Sequence, residues 1–306
     1  MTAGAAWARL RAAVAARAYR LHPPLPAGLG VCAACRGPAR GRYLHCFHCG
    51  LHAESAKGLL ADAVVPLSYA IKGDRYAHDL WVYKSALPGA TAAKATLLSL
   101  LLVSLRDHGG CAWRLAGGGA PTHLAVVPST RGRPGTHPLE ALAAPAFSLP
   151  WAHLAIPAAP EPPDPDDRDL SVDRYMTRER LSGARVLLLD DTWTTGAHAQ
   201  SAAAVLKLAG ASHVAIVVLG RHLDLECGGA ETFAALIRAR RYDLAGERIL
   251  PCPAAALRRR HTPRGESRDH RRTLGRMGPS ALTGWPDVTG CLIEHRAGVD
   301  REGGAR

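Results

Sequence analysis

Several common devices are missing from this 306-residue chain, and each absence removes a class of function. No Gly-Lys-Ser/Thr run exists to make a nucleoside-triphosphate loop, and the glycine at the most promising turn, Gly196, stands alone rather than in a dinucleotide-binding triplet. The most apolar stretch, residues 97–105, is bracketed by Lys94 and Arg106. It is far shorter than the ~20 residues a membrane span requires and reads as a buried helix. Residues 4–20 are interrupted by Arg9, Arg11 and Arg17, which leaves no apolar core for a secretory signal. The expected compartment is therefore the reducing cytoplasm. Two-residue hairpin signals and internal repeats are absent too, which argues against an antiparallel meander or a solenoid. Only five lysines stand against thirty-three arginines, a mark of a GC-rich genome rather than of function.

The most informative run is Val186-Leu187-Leu188-Leu189-Asp190-Asp191-Thr192-Trp193-Thr194-Thr195-Gly196-Ala197-His198. Four branched apolar residues predict a short strand buried on both faces, as in a parallel sheet. Two carboxylates follow at its C-terminal end, then a hydroxyl- and glycine-containing turn, then an alanine-rich helix over 197–208. In open α/β sheets, strand ends of this kind face the ligand crevice. Backbone N–H groups at a helix N-terminus suit a phosphate. Carboxylates beside a phosphate cradle call for a ligand with both hydroxyls and phosphate, and a sugar phosphate fits best.

The second motif is Cys32-Ala33-Ala34-Cys35 with Cys46-Phe47-His48-Cys49, a C-x2-C-x10-C-x2-C spacing. Two such knuckles can close a tetrahedral Zn²⁺ site, and a four-thiolate site has no open position for substrate, so its expected role is structural. Gly37-Pro38 and Gly50 supply turn residues. His45, His48 or His52 could replace a thiolate, and two disulfides or redox pairs are the alternative. Cys111, Cys227, Cys252 and Cys291 are scattered singly and read as incidental thiols.

The net charge of +12 belongs to the ends of the chain. Residues 1–60 hold eight basic and one acidic residue, residues 251–306 eleven and six, and the stretch between is balanced. Such ends can meet nucleic acid or acidic partners. Trp7, Leu10, Val14, Ala18 and Leu21 recur at helical spacing, predicting an amphipathic segment within 1–30 that docks on the main domain; its composition also resembles a transit peptide. A zinc ribbon is expected over 31–53, an α/β domain with a doubly wound parallel sheet over 54–250, and a basic disordered tail over 251–306. Strands are predicted at 63–70 (near an edge, because of Pro66), 124–127 and 214–219, with helices at 75–84 and 91–108. Loop 128–135, with Ser129, Thr130 and Arg131, suits a pyrophosphate. Residues 160–180, with Arg174, read as a lid that closes over a ligand.

The 186–198 run resembles the thirteen-residue signature of type I phosphoribosyltransferases. The resemblance implies that Asp190 and Asp191 hold the ribose hydroxyls of phosphoribosyl pyrophosphate (PRPP). It implies that Thr192, Thr194, Thr195, Gly196 and Ala197 surround the 5′-phosphate, with His198 replacing the usual Ser or Thr. Cysteine knuckles ahead of such a domain, the Tyr83-Lys84 pair and Val127-Pro128 opening the pyrophosphate loop together resemble the competence-protein-F (ComF-like) family of bacterial proteins, linked by name to DNA uptake. The resemblance spans residues 32–242. It departs where that family has Arg-Gly-Phe-Asn-Gln and this chain has Arg131-Gly132-Arg133-Pro134-Gly135. What it implies is a Mg²⁺-dependent transfer of phosphoribose to an amine or base, with Asp190, Asp191, Arg131 and Lys84 as catalytic residues. Ser129, Thr130, Arg131 and Arg174 would join the ligand contacts, with Cys32, Cys35, Cys46 and Cys49 on zinc. The alternative is a non-catalytic sensor of PRPP or nucleotide that binds nucleic acid through its knuckles and basic ends.

Overall fold

The computed structural model describes residues 3–242 apart from 57, 132–135, 145–146, 158–166 and 227–230. The expected basic tail and three of the single cysteines, Cys227, Cys252 and Cys291, lie outside the described residues.

The core is an all-parallel sheet of β1 (Ala63–Ile71), β2 (His123–Val126), β3 (Arg185–Trp193) and β4 (His213–Leu223), in the order β1-β4-β3-β2. β1 is an edge strand, which is where a proline that cannot donate to the ladder is tolerated; Pro66 stands opposite Val218. The two central strands are buried along most of their length, so their runs are continuously apolar rather than alternating.

Alternate residues feed two different cores. Val65, Leu67, Leu124, Val126, Leu187, Leu189, Val217 and Leu219 pack beneath α3 (Arg75–Val82), α4 (Ala90–Leu115) and α5 (Pro138–Ala143). Val64, Ala125, Val186, Leu188, Val214, Ile216 and Val218 pack beneath α6 (Ala197–Leu208) and the cysteine segment. The connections explain the two layers. β1 to β2 crosses the sheet in one direction and β3 to β4 in the other, so right-handed crossovers put α4 and α6 on opposite faces.

Both edges are covered. Trp151 bridges Leu124 on the outer side of β2, and His22 bridges Tyr69 on the outer side of β1. Such bridges blunt edges that would otherwise recruit another strand. Helix α1 (Ala3–Ala15) docks on α4, with Arg11 bonded to Asp107 at 2.7 Å and Arg106 stacked 4.2 Å from the Trp7 ring centre.

Some elements run longer than predicted, whereas α3 stops two residues short of the predicted 75–84. α4 extends to Leu115, and β3 continues through both aspartates to Trp193. The acids therefore belong to the strand itself, because β4 carries the ladder on to the Trp193–Arg221 pair. The second cysteine pair also differs from a ribbon: Cys46 caps α2 (Phe47–Ser55) and Cys49 lies in its first turn. No helix among the described residues is long and apolar enough to cross a membrane.

Candidate functional site

Because side chains alternate along a strand, neighbouring Asp190 and Asp191 leave β3 on opposite faces. Asp191 follows Leu187 and Leu189 onto the α3–α4 side, where it is almost fully buried. Its Oδ2 accepts the Tyr83 hydroxyl at 2.7 Å and pairs with Lys84 Nζ at 2.6 Å. Burial opposes its charge, but Lys84 and then the Tyr83 hydroxyl outweigh burial and hold it below the ordinary carboxylate value. Asp190 lacks such partners. Its Oδ1 accepts the Asp191 amide at 2.8 Å, yet burial and then the Asp191 charge push it up to about 7. Two adjacent carboxyls thus have opposite protonation tendencies, one fixed as an anion and one able to exchange a proton near neutrality.

Past Trp193 the chain turns through Thr194 and Thr195 into α6. Gly196 has φ +87°, and a Cβ placed there would lie 2.1 Å from the Trp193 indole. Only glycine permits both the left-handed conformation and that contact. Thr195 is buried, and its hydroxyl accepts the Ala197 amide at 3.3 Å. Thr192 and Thr194 are half-buried beside it. The turn therefore presents the first N–H groups of a twelve-residue helix next to the acids.

His198 is turned into the protein. Its Nε2 lies 3.1 Å from the Asp167 carbonyl, which can only accept, and its Nδ1 lies 2.9 Å from the Tyr175 hydroxyl. The arrangement fits a neutral ring protonated on Nε2. Burial first, and the Arg174 charge second, hold its pKa below the usual histidine value. A ring so engaged stabilises the covering segment, and its two nitrogens have protein partners in place of a phosphate.

Part of the 160–180 segment is packed down. Tyr175 is buried and also reaches the Pro128 carbonyl at 3.3 Å. Arg174 is buried as well, but its Nη2 bonds Asp167 Oδ2 at 2.6 Å and the Asp169 carbonyl at 2.7 Å. Its Nη2 is engaged within its own loop, while its buried Nε has no hydrogen-bond partner among the described residues. Residues 160–166 of this segment lie outside the described residues.

A cleft of about 410 Å³ adjoins Lys84. Pro128 and Ser129 from the loop after β2 line it, together with His137 and Glu140 at α5 and Trp151 and His153 from the edge segment. Thr130 is half-buried and Arg131 exposed on the same loop, with the Arg131 amide 3.4 Å from Ser129 Oγ. The structure thus brings Lys84 and Ser129 to one cavity and ties that cavity to the acids through Lys84.

The four cysteines form a separate centre. Cys32, Cys35, Cys46 and Cys49 are free thiols whose sulfurs all lie within 4.8 Å of one another. Tetrahedral zinc with ~2.3 Å bonds requires sulfur pairs about 3.8 Å apart. The Cys35–Cys46 distance is 3.7 Å, far longer than the ~2.05 Å of a disulfide. Residues and spacing fit zinc, with no histidine in the cluster. His52 is buried beside it and held down to about 4, by burial and then by His48.

Two arginines at this centre escape a motif-based reading. Arg36, in the left-handed conformation at φ +61°, and Arg221, from β4, are both buried. Arg36 Nε and Nη1 and Arg221 Nε have no hydrogen-bond partner among the described residues. Two buried cations beside a cluster that carries two net negative charges when it holds zinc are the compensation such a centre needs. Arg36 adjoins Cys35 in sequence, but nothing in the sequence links Arg221 to the knuckles.

Compared with known families and curated proteins, the chain matches no family model and no curated protein.

Proposed function

We propose that the chain binds PRPP at the carboxyl end of β3 and is a Mg²⁺-dependent phosphoribosyltransferase of the kind its 186–198 run resembles. The observation that carries this reading is the pairing of an anionic Asp191, held by Lys84 and Tyr83, with Asp190 near neutrality, directly before a glycine turn that opens α6. Carboxylates accept hydrogen bonds from the hydroxyls of a vicinal diol, and the turn amides receive the phosphate beside them. The cleft beside Lys84 leaves room for the diphosphate and the acceptor.

In the proposed reaction the C1′–O bond breaks and diphosphate departs with the electron pair. The ribose acquires oxocarbenium character, and a nitrogen of the acceptor donates its lone pair to C1′ and loses a proton. Lys84 and Arg131 offset the charge that builds on the leaving oxygens. A bound Mg²⁺ would add charge neutralisation on the diphosphate. Tyr175, with the segment that His198 anchors, excludes water from C1′. A link to DNA uptake belongs to the same proposal and rests on the resemblance to ComF-like proteins.

Titration calorimetry with PRPP and Mg²⁺, alongside a pyrophosphate-release assay with ammonia, amines and bases, tests this. Micromolar binding that Asp191→Asn weakens about a hundredfold is expected, the equivalent of roughly 2.7 kcal/mol. Absence of binding heat overturns the reading. Binding without pyrophosphate release from any acceptor would make the domain a sensor, and salt-dependent DNA binding would then be the next measurement.

A further inference from the structure

The four-cysteine centre and the β3–α6 turn are joined through one side chain. Arg221 is buried near the end of β4, directly across the ladder from Trp193. Its Nη1 donates to the Trp193 carbonyl at 3.1 Å and to the His222 carbonyl. Its other face lies on the first knuckle: a Cβ added to Gly37 would stand 2.5 Å from Nη2, so the backbone there is glycine to admit the guanidinium. Trp193 in turn fills the space above Gly196, at the start of α6. A continuous packed path therefore runs from Cys35 through Gly37, Arg221 and Trp193 to Gly196.

We propose that Arg221 is a positioning residue that couples zinc occupancy at the four cysteines to the conformation of the 194–196 turn. The donor set is the reason. A four-thiolate zinc centre keeps two net negative charges, and a buried guanidinium held between that charge and the Trp193 carbonyl has its position set by both. Without the metal, the four sulfurs are no longer fixed about one point, and the knuckle that holds the guanidinium against Gly37 loosens. The guanidinium is then free to leave the Trp193 carbonyl, and the indole above Gly196 loses its support. By reciprocity, an anion that orders the turn tightens metal retention. The knuckles thus tune a turn on β3 and α6, beyond stapling the N-terminal segment.

The proposal deepens the reading of the turn as an anion site, but its test needs no ligand. Amide hydrogen exchange is followed by mass spectrometry on the full chain, with and without a zinc chelator, in peptides covering 193–198 and, as a control, 97–105. Chelation is expected to speed exchange in 193–198 by about tenfold, within the range of ordinary site-to-site couplings, and to leave 97–105 within about twofold. Arg221→Gln should speed the same turn while zinc is still bound, and chelation should add little to that variant. Arg221→Lys, which keeps the charge and loses the fork, should fall between. An unchanged turn after zinc loss overturns the proposal, and so does equal acceleration of 97–105, which would mean general unfolding. If Arg221→Gln fails to fold, the wild-type chelation arm decides. A missing PRPP signal in calorimetry would remove the proposed function and leave this coupling intact.

Discussion

Lys84 Nζ stands 2.6 Å from Asp191 Oδ2, the oxygen that also accepts the Tyr83 hydroxyl, so two consecutive residues at the end of α3 grip one carboxylate oxygen of β3. Asp191 is nearly buried while Lys84 is a quarter exposed, and the pair is worth less than a fully enclosed one. Lys84→Met should lower unfolding free energy by about 2 kcal/mol, mostly because the anion is left alone. Tyr83→Phe removes only one donor to a charged acceptor and should cost about 1.5 kcal/mol. Denaturant titration of Lys84→Met, Asp191→Asn and the double variant gives the check. The double should cost clearly less than the sum of the singles. Strict additivity would mean that the two groups do not interact in solution.

Asp190 makes stability and ligand binding depend on pH. Its folded value of about 7 lies above the ~3.9 of an unfolded aspartate. Between these values the folded chain holds a proton that the unfolded chain has lost, so this residue's contribution to stability declines as pH rises from about 4 to about 7 and is then constant. Asp191, held low, acts in the opposite sense, and its stabilising contribution is lost as pH falls below the ordinary carboxylate value towards its own lower one. Comparing wild type with Asp190→Asn isolates the first effect: the variant should gain relative stability as pH rises towards 7. A diol needs the carboxylate form as its acceptor, so affinity for PRPP should fall up to about tenfold per pH unit below 7. That dependence should flatten in Asp190→Asn. A wild-type affinity independent of pH between 5.5 and 8 would contradict the raised value.

What the sequence made legible follows from local chemistry. The β3–α6 junction was readable because its pattern is contiguous: a buried run, two acids, and a turn that needs glycine. The predicted helix over 197–208 coincides with α6, since Gly196 marks its start. The cysteine cluster was readable from spacing alone, because four thiolates at knuckle distance have few other solutions. Pro66 placed β1 at an edge for a reason of hydrogen bonding that needs no tertiary knowledge. Contacts between distant segments were harder. Tyr83 and Lys84 could be noticed as a pair, but their reach to Asp191 depends on α3 packing over β1 and β4 so that its end meets β3. Arg174 reads as a ligand contact because it is cationic in a long loop, but its Nη2 pairs with Asp167 seven residues back, a partner that no periodic pattern marks. Arg221 carries no local mark at all, and only the ladder pairing with Trp193 brings it to the knuckles.

The Gly196–Trp193 contact yields the sharpest structural test. A methyl group at position 196 meets the indole at 2.1–2.7 Å, against three ring atoms rather than the flexible end of a side chain. The left-handed backbone at φ +87° adds its own penalty of roughly 1 kcal/mol for any residue with a Cβ. Trp193 is itself buried against the second core, so it cannot swing outward without opening a void. Gly196→Ala should therefore cost about 2–4 kcal/mol, the sum of overpacking and backbone strain. Replacing the indole as well, in Trp193→Leu with Gly196→Ala, removes the clash and leaves only the strain and a smaller packing loss. The double variant should then lie closer to Trp193→Leu alone than additivity allows, by about 1 kcal/mol or more. Thermal or urea unfolding of the three variants decides: if the two penalties simply add, the indole does not occupy the space above Gly196.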